Sequence, residues 1–184
     1  SLTSSQLTRW YLDRIETMDR EGVRLRSLIT VNPRAMEQAE ESDRALHSGG
    51  VLPAMHGIPV VLKDNIDTRD LPTTLGSPVF SGFVPRRDAA VVERLRAAGA
   101  IILAKTNMTE FANFMGENMP GGYSSRGGQV LSPYRRDRSP FGSSTGSAVT
   151  VAAHLCMAAL GTENFGSINY PAQRNGIVGI KPTM

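Results

Sequence analysis

Apolar residues recur at three- and four-residue steps near the start of the chain. Leu7, Trp10, Tyr11, Ile15 and Met18 fall on one helical face. Thr3 and Gln6 precede them at capping-box spacing, so the pattern predicts a helix over 3–20 packed on a core. Leu28 to Val31 reads as a short strand. Asn32-Pro33 then opens a second helix, with Asn as cap and Pro in its first turn, ending near His47 before Gly49-Gly50. Its many Glu and Arg residues place that helix at the surface.

The pattern changes at Gly57. The stretch to Ile66, GIPVVLKDNI, carries a continuous apolar run, as buried strands do. Lys63 closes that run. Its ammonium is costly to bury, so two readings stay open: a buried amine, or an edge lysine reaching solvent. Pro72 to Pro85 is loop-like. Asp88 is placed to cap a third helix, DAAVVERLRAAG, which Gly99 stops, and Ala100 to Lys105 reads as another buried strand. Thr106 to Phe114 is a turn with a short helix. Gly116 to Asp137 is a long Gly/Ser/Pro-rich loop. Gly176 to Lys181, GIVGIK, reads as a final strand that needs neighbours. The alternation predicts an α/β fold, a mixed and largely parallel sheet flanked by helices. Residues 1–184 are expected to form a single α/β domain, its N-terminal portion, truncated at the C-terminus.

Composition narrows this little further. At 184 residues, 40% hydrophobic and 20% charged, the chain is an ordinary globular one. Its net charge of +3 is small. The densest basic cluster, Arg135-Arg136-Asp137-Arg138, is broken by an acid and reads as a solvated loop, so no nucleic-acid partner is expected. The single cysteine, Cys156, sits in an apolar run and excludes an internal disulfide. A reducing, cytoplasmic setting is the default. No signal peptide is visible, but the first residue is not Met, and a removed leader stays open. The run Ala148 to Leu160 is too short to span a bilayer. His47, His56 and His154 lack metal-ligand spacing; neither metal nor organic cofactor is expected.

The chemistry gathers between Pro140 and Pro171: a Ser/Gly turn, thirteen small or apolar residues, then a second Gly/Ser turn. A turn–helix–strand–turn path would bring Ser143 and Ser167, 24 residues apart, face to face. Lys63 would complete a Ser–Ser–Lys relay. A serine hydroxyl is a weak nucleophile until a base takes its proton, and lysine is a base only when neutral. With an unperturbed pKa near ~10.4, roughly one lysine in two thousand is neutral at pH 7, and burial removes that handicap. The loop through Asn164, Phe165 and Gly166 would aim backbone N–H groups at an oxyanion. Ser167 would start a short helix. Two structural turns around a core helix explain the same spacing equally well.

Six stretches, in order, add a resemblance: GIPVVLKDNID (57–67), LRAAGAIILAKTNMTEFAN (95–113), GGQVLSPY (127–134), GSSTGS (142–147), GTENFGSI (161–168) and GIVGIKPT (176–183). Together they resemble the amidase signature family of serine hydrolases, and most closely its peptide-amidase-like branch. The resemblance implies that family's fold, here incomplete, and a Ser–cis-Ser–Lys triad of Ser167, Ser143 and Lys63. It also implies a cis bond between Gly142 and Ser143, and places Asn113 against the substrate. Four residues depart from the family's pattern: Phe165 for Gly or an acid, Asn169 for Arg, Thr145 for Gly, and Glu163 for Asp.

The expected function is hydrolysis of a carboxamide, a peptide amide or a small aliphatic or aryl amide, through a serine acyl-enzyme. Two alternatives stand beside it: a non-catalytic fragment or degenerate member with a binding role, and the glutaminase-type subunit of a tRNA-dependent amidotransferase. A homodimer is compatible with either kind of chain.

Overall fold

A mixed sheet with helices on both faces organises the chain. The computed structural model describes residues 2–48 and 51–183. Its strands are β1 (Leu28–Val31), β2 (Pro59–Lys63), β3 (Ile101–Thr106), β4 (Tyr123–Ser124), β5 (Gly128–Gln129) and β6 (Ala158–Leu160). Its α-helices are α1 (Ser4–Arg14), α2 (Ala35–His47), α3 (Ala90–Ala97), α4 (Thr145–Ala152) and α5 (Asn169–Arg174). The main sheet runs β1-β3-β2-β6, with β2 parallel to both neighbours and β1 antiparallel to β3. The largely parallel α/β sheet expected from the hydrophobic pattern is therefore present.

Alternation along β2 makes two cores. Val60 and Leu62 point to one face, where they pack with Ile66, Leu71, Val92 and Ile102. Val61 points to the other, into a cluster with Tyr11, Ile15, Leu103, Val149 and Leu155. Lys63 continues the second face, so β2 delivers its amine to the side covered by α1 and α4. The strand is buried at every position, Lys63 included. The edge-lysine reading falls: β2 has β3 on one side and β6 on the other.

The predicted first helix is present, with both halves of the Thr3–Gln6 capping box, but its last turns, Ile15–Glu21, widen into a π-helix. Trp10 is not a core residue. It is 48% exposed, with the Arg14 guanidinium 4.9 Å from its ring centre. Arg14 instead ties α1 to the end of α4, donating to the carbonyls of His154 (2.9 Å) and Ala153 (2.8 Å). A cation suits the unpaired carbonyls of a helix C-terminus.

Other boundaries shift for local reasons. Asn32 holds the turn before α2 by accepting from Arg34 N at 2.9 Å, and the helix proper starts at Ala35. The expected Gly49-Gly50 stop lies outside the described residues. Asp88 does not cap α3. Its carboxylate accepts from Arg69 N (2.9 Å) and pairs with Arg96 (3.1 Å), and Ala89 takes the cap position. The loop predicted over 116–137 contains the β4–β5 hairpin. Residues 135–138 are exposed, with Arg135 and Asp137 paired at 2.6 Å.

Residues 176–181 form no strand. Val178 and Ile180 are 86% and 77% exposed. An apolar pattern makes a strand only where a partner supplies ladder hydrogen bonds, and no described strand lies beside this segment. It lines an open apolar groove of about 1000 Å³ together with Trp10, Met157 and Leu160. Among the described residues no helix is long and apolar enough to cross a membrane.

Candidate active site

Lys63 reaches the N-terminal end of α4. Its Nζ donates to Ser143 Oγ at 2.7 Å, to Thr162 Oγ1 at 2.9 Å and to the Thr162 carbonyl at 3.3 Å. These are three acceptors for an ammonium's three N–H bonds. Among the described residues no carboxylate pairs with the amine. Burial therefore dominates and pulls the Lys63 pKa from 10.5 down to about 7, against a smaller opposing pull from the Glu163 charge.

The Gly142–Ser143 peptide is cis. It leads into α4 through a turn clamped from three sides. Thr109 N donates to the Ser143 carbonyl (3.1 Å), and the Thr145 hydroxyl caps the Phe141 carbonyl. Ser144 grips the second Gly/Ser turn: its hydroxyl donates to the Thr162 carbonyl (3.1 Å) and accepts from Thr162 N (3.2 Å). Its own N–H donates to the Ser167 carbonyl (3.1 Å). The two turns are thus stitched together backbone to backbone, Ser143 on one and Ser167 on the other.

The second turn is held by a carboxylate. Glu163 accepts from Ile168 N (2.6 Å), Asn169 N (2.9 Å) and the Asn169 amide (3.1 Å). Desolvation works against its charge, but these N–H groups win and keep the carboxyl below its usual range. Gly166 has φ +77°, and a Cβ there would lie 2.2 Å from the Tyr170 ring. That position demands glycine for both reasons. The N–H groups of Asn164, Phe165 and Ser167 have no acceptor among the described residues, and neither does the Ser167 hydroxyl. Helix α5 begins at Asn169, two residues later than expected for a helix started by Ser167.

Phe165 is 84% exposed and stands edge-on to Tyr170, with ring centres 6.4 Å apart. Tyr170 in turn meets Phe141 at 6.1 Å. Aromatic side chains therefore border both serine turns. Asn113 is exposed, at φ +75°, on a left-handed turn with Phe111 and Ala112. That turn connects to the site through Thr109, not through the Asn113 side chain.

Two residues at the amine were missed by sequence reasoning: Thr162, and Asn65, whose Nδ2 donates to Thr162 Oγ1 at 3.0 Å. Both sit inside stretches already singled out, one place after Gly161 and two after Lys63. Nothing in their spacing says that they meet.

A family model described as Amidase matches residues 6–184, and the chain belongs to that family. It is 47% identical, over its whole length, to a probable amidase of Arabidopsis thaliana, covering 36% of that protein. The crystal structure of native peptide amidase from Stenotrophomonas maltophilia superposes with a TM-score of 0.96 at 52% identity, over 99% of this chain and 37% of the other. A glutamyl-tRNA(Gln) amidotransferase subunit of Methylobacillus flagellatus is 43% identical over 99% of the chain and 36% of its own length. The chain spans about a third of the relatives it matches.

Proposed function

We propose that residues 1–184 are the N-terminal portion of one amidase-type domain and carry its reacting groups for hydrolysis of a carboxamide. Ser167 attacks the carbonyl carbon and its proton passes to Ser143, whose own proton moves to Lys63. The N–H groups of the bend over 164–167 receive the oxyanion. Collapse of the adduct breaks the C–N bond, and the relay returns the proton to the leaving ammonia or amine. Water then repeats the path in reverse on the acyl-enzyme. Asn113 borders the substrate. The substrate is a peptide amide or a small aliphatic or aryl amide.

The observation that carries this reading is the 2.7 Å contact between the Ser143 hydroxyl and a lysine held near neutrality by burial. A fully buried lysine without a carboxylate partner is costly for folding, and such perturbed groups cluster at functional sites. In the full-length protein, a fluorophosphonate probe is expected to label Ser167, and Ser167→Ala is expected to abolish both labelling and turnover. Turnover retained by that variant would remove Ser167 from the mechanism. Folded protein that takes no label would leave a binding role.

The amidotransferase relatives favour a second reading, a glutaminase-type subunit that passes ammonia to a partner. Preference for free glutamine over peptide amides, together with co-purifying subunits, would replace the first reading with this one.

A further inference from the structure

The amine of Lys63 has three neighbours, but a working base needs its lone pair aimed at only one of them. Neutral lysine keeps two N–H bonds and one lone pair. For Ser143 to give up its proton, that lone pair must face Ser143 Oγ. The remaining N–H bonds then rest on the Thr162 carbonyl and Thr162 Oγ1, at 3.3 and 2.9 Å. The carbonyl is an acceptor only. The Thr162 hydroxyl is not: it can turn its own hydrogen toward the amine and occupy the lone pair in place of Ser143.

We infer that Asn65 is a positioning residue that prevents this, holding the Thr162 hydroxyl in its accepting orientation so that the Lys63 lone pair is left for Ser143. Asn65 Nδ2 donates to Thr162 Oγ1 at 3.0 Å, and Asn65 Oδ1 lies 3.4 Å from the same oxygen, where it receives the threonine hydrogen. Thr162 Oγ1 thus accepts twice, from Asn65 and from Lys63, and its hydrogen is directed away from the amine. Both oxygens that Thr162 presents to Lys63 are then acceptors, which fixes rotation about the last bond of the lysine. The chain geometry suits the task. Asn65 follows Lys63 by two residues on the turn leaving β2, and Thr162 follows β6, the parallel neighbour of that strand. The relay itself moves one proton from Ser143 Oγ to Lys63 Nζ; Asn65 and Thr162 exchange none.

This inference rests on the proposed amidase reading, and the test separates the two. The rate of Ser167 labelling by a fluorophosphonate is measured against pH in the full-length protein, because that rate needs no knowledge of the natural substrate. Asn65→Ala is expected to label about tenfold more slowly, a loss within the range of a misaligned general base. In a Thr162→Val background, which has no hydroxyl to misdirect, Asn65→Ala is expected to add less than about a twofold further loss. Asn65→Asp still accepts the threonine hydrogen but adds a negative charge, which favours protonated Lys63. Its acid limb is expected to move to higher pH, with the parental rate recovered on the alkaline side, an outcome that a misfolded protein cannot give. An equal Asn65→Ala loss in both backgrounds, or an Asn65→Asp profile that never recovers, would overturn the positioning role. Absence of labelling in the parent, or labelling that survives Ser167→Ala, would instead remove the amidase reading and this inference with it.

Discussion

Replacing Lys63 with methionine is expected to lower kcat/KM on a carboxamide by about 10³-fold and to erase the acid limb of its pH profile. The magnitude follows from the proton path. General acid–base groups typically contribute about 10²–10⁴-fold, and relay members fail as a unit. At an ordinary pKa of ~10.4 the neutral fraction at pH 7 is about 4 in 10,000. At about 7 it is near one half, so burial on β2 raises the supply of free base by about 10³. The parent's kcat/KM should therefore climb with pH and level off above about 7. Stability moves in the same direction. Between the folded-state value and the unfolded one, the unfolded chain holds the extra proton, so unfolding free energy rises with pH across that window. The cost of burying the amine is complete below the folded value. Methionine fills the space without a charge to desolvate, so the variant should gain stability most at pH 6 and least at pH 10. Lys105, also buried and lowered to about 8, keeps part of the slope in both proteins. Urea titrations at the two pH values measure the difference. A variant whose stability rises with pH as steeply as the parent's would mean that Lys63 is protonated in the fold throughout.

How much of this was legible beforehand depended on whether a signal was local. The apolar run from Val60 to Leu62 and the alternating elements around it announced a parallel sheet because burial on both faces leaves a continuous apolar stretch. The capping box at Thr3 was equally local and is present as read. Whether Lys63 is buried was undecidable from its neighbours, because the answer lies in β6, far along the chain, which covers the open side of β2. The same holds for Asn65 and Thr162, which are 97 residues apart and meet through two hydrogen bonds. Asp88 misled because an acidic residue before a helix resembles a cap, whereas Arg69 and Arg96 claim its carboxylate. The segment 176–181 misled for the opposite reason: its composition favours a strand, but pairing is a property of two segments. Motif order located the two serine turns; only the fold brings Ser144 onto the Ser167 carbonyl.

Gly146→Ala should unfold the protein more readily than any helix propensity would suggest. Inside a helix, alanine is normally about 1 kcal/mol better than glycine, so the simplest expectation is a stabilised α4. The packing reverses that sign. A Cβ on Gly146 would lie 2.2 Å from the Ser27 carbonyl oxygen, 2.4 Å from that of Asn107 and 2.7 Å from Asn107 N. All three are backbone atoms, and they are tied to one another, with Asn107 N donating to Ser27 O at 2.7 Å and Gly146 N donating to Asn107 O at 2.9 Å. No side chain can swing aside, so either α4 lifts or the junction between β1 and β3 opens. Overpacking of a well-filled core costs about 1–3 kcal/mol, and a clash with backbone belongs at the upper end. A net loss of about 3 kcal/mol is expected in urea denaturation. Gly82→Ala is the control: its Cβ would meet nothing within 4 Å, and its stability should stay within about 0.5 kcal/mol of the parent. The site should suffer beyond what stability explains. Gly146 lies three residues after Ser143 on the end of α4 that the Lys63 amine reaches, and a shift of even about 1 Å there stretches the 2.7 Å contact beyond hydrogen-bond range. Fluorophosphonate labelling in the folded fraction of Gly146→Ala should therefore be slower than in Gly82→Ala at the same pH. A Gly146→Ala protein that melts and labels like its parent would mean that α4 does not seat directly on the strand backbone.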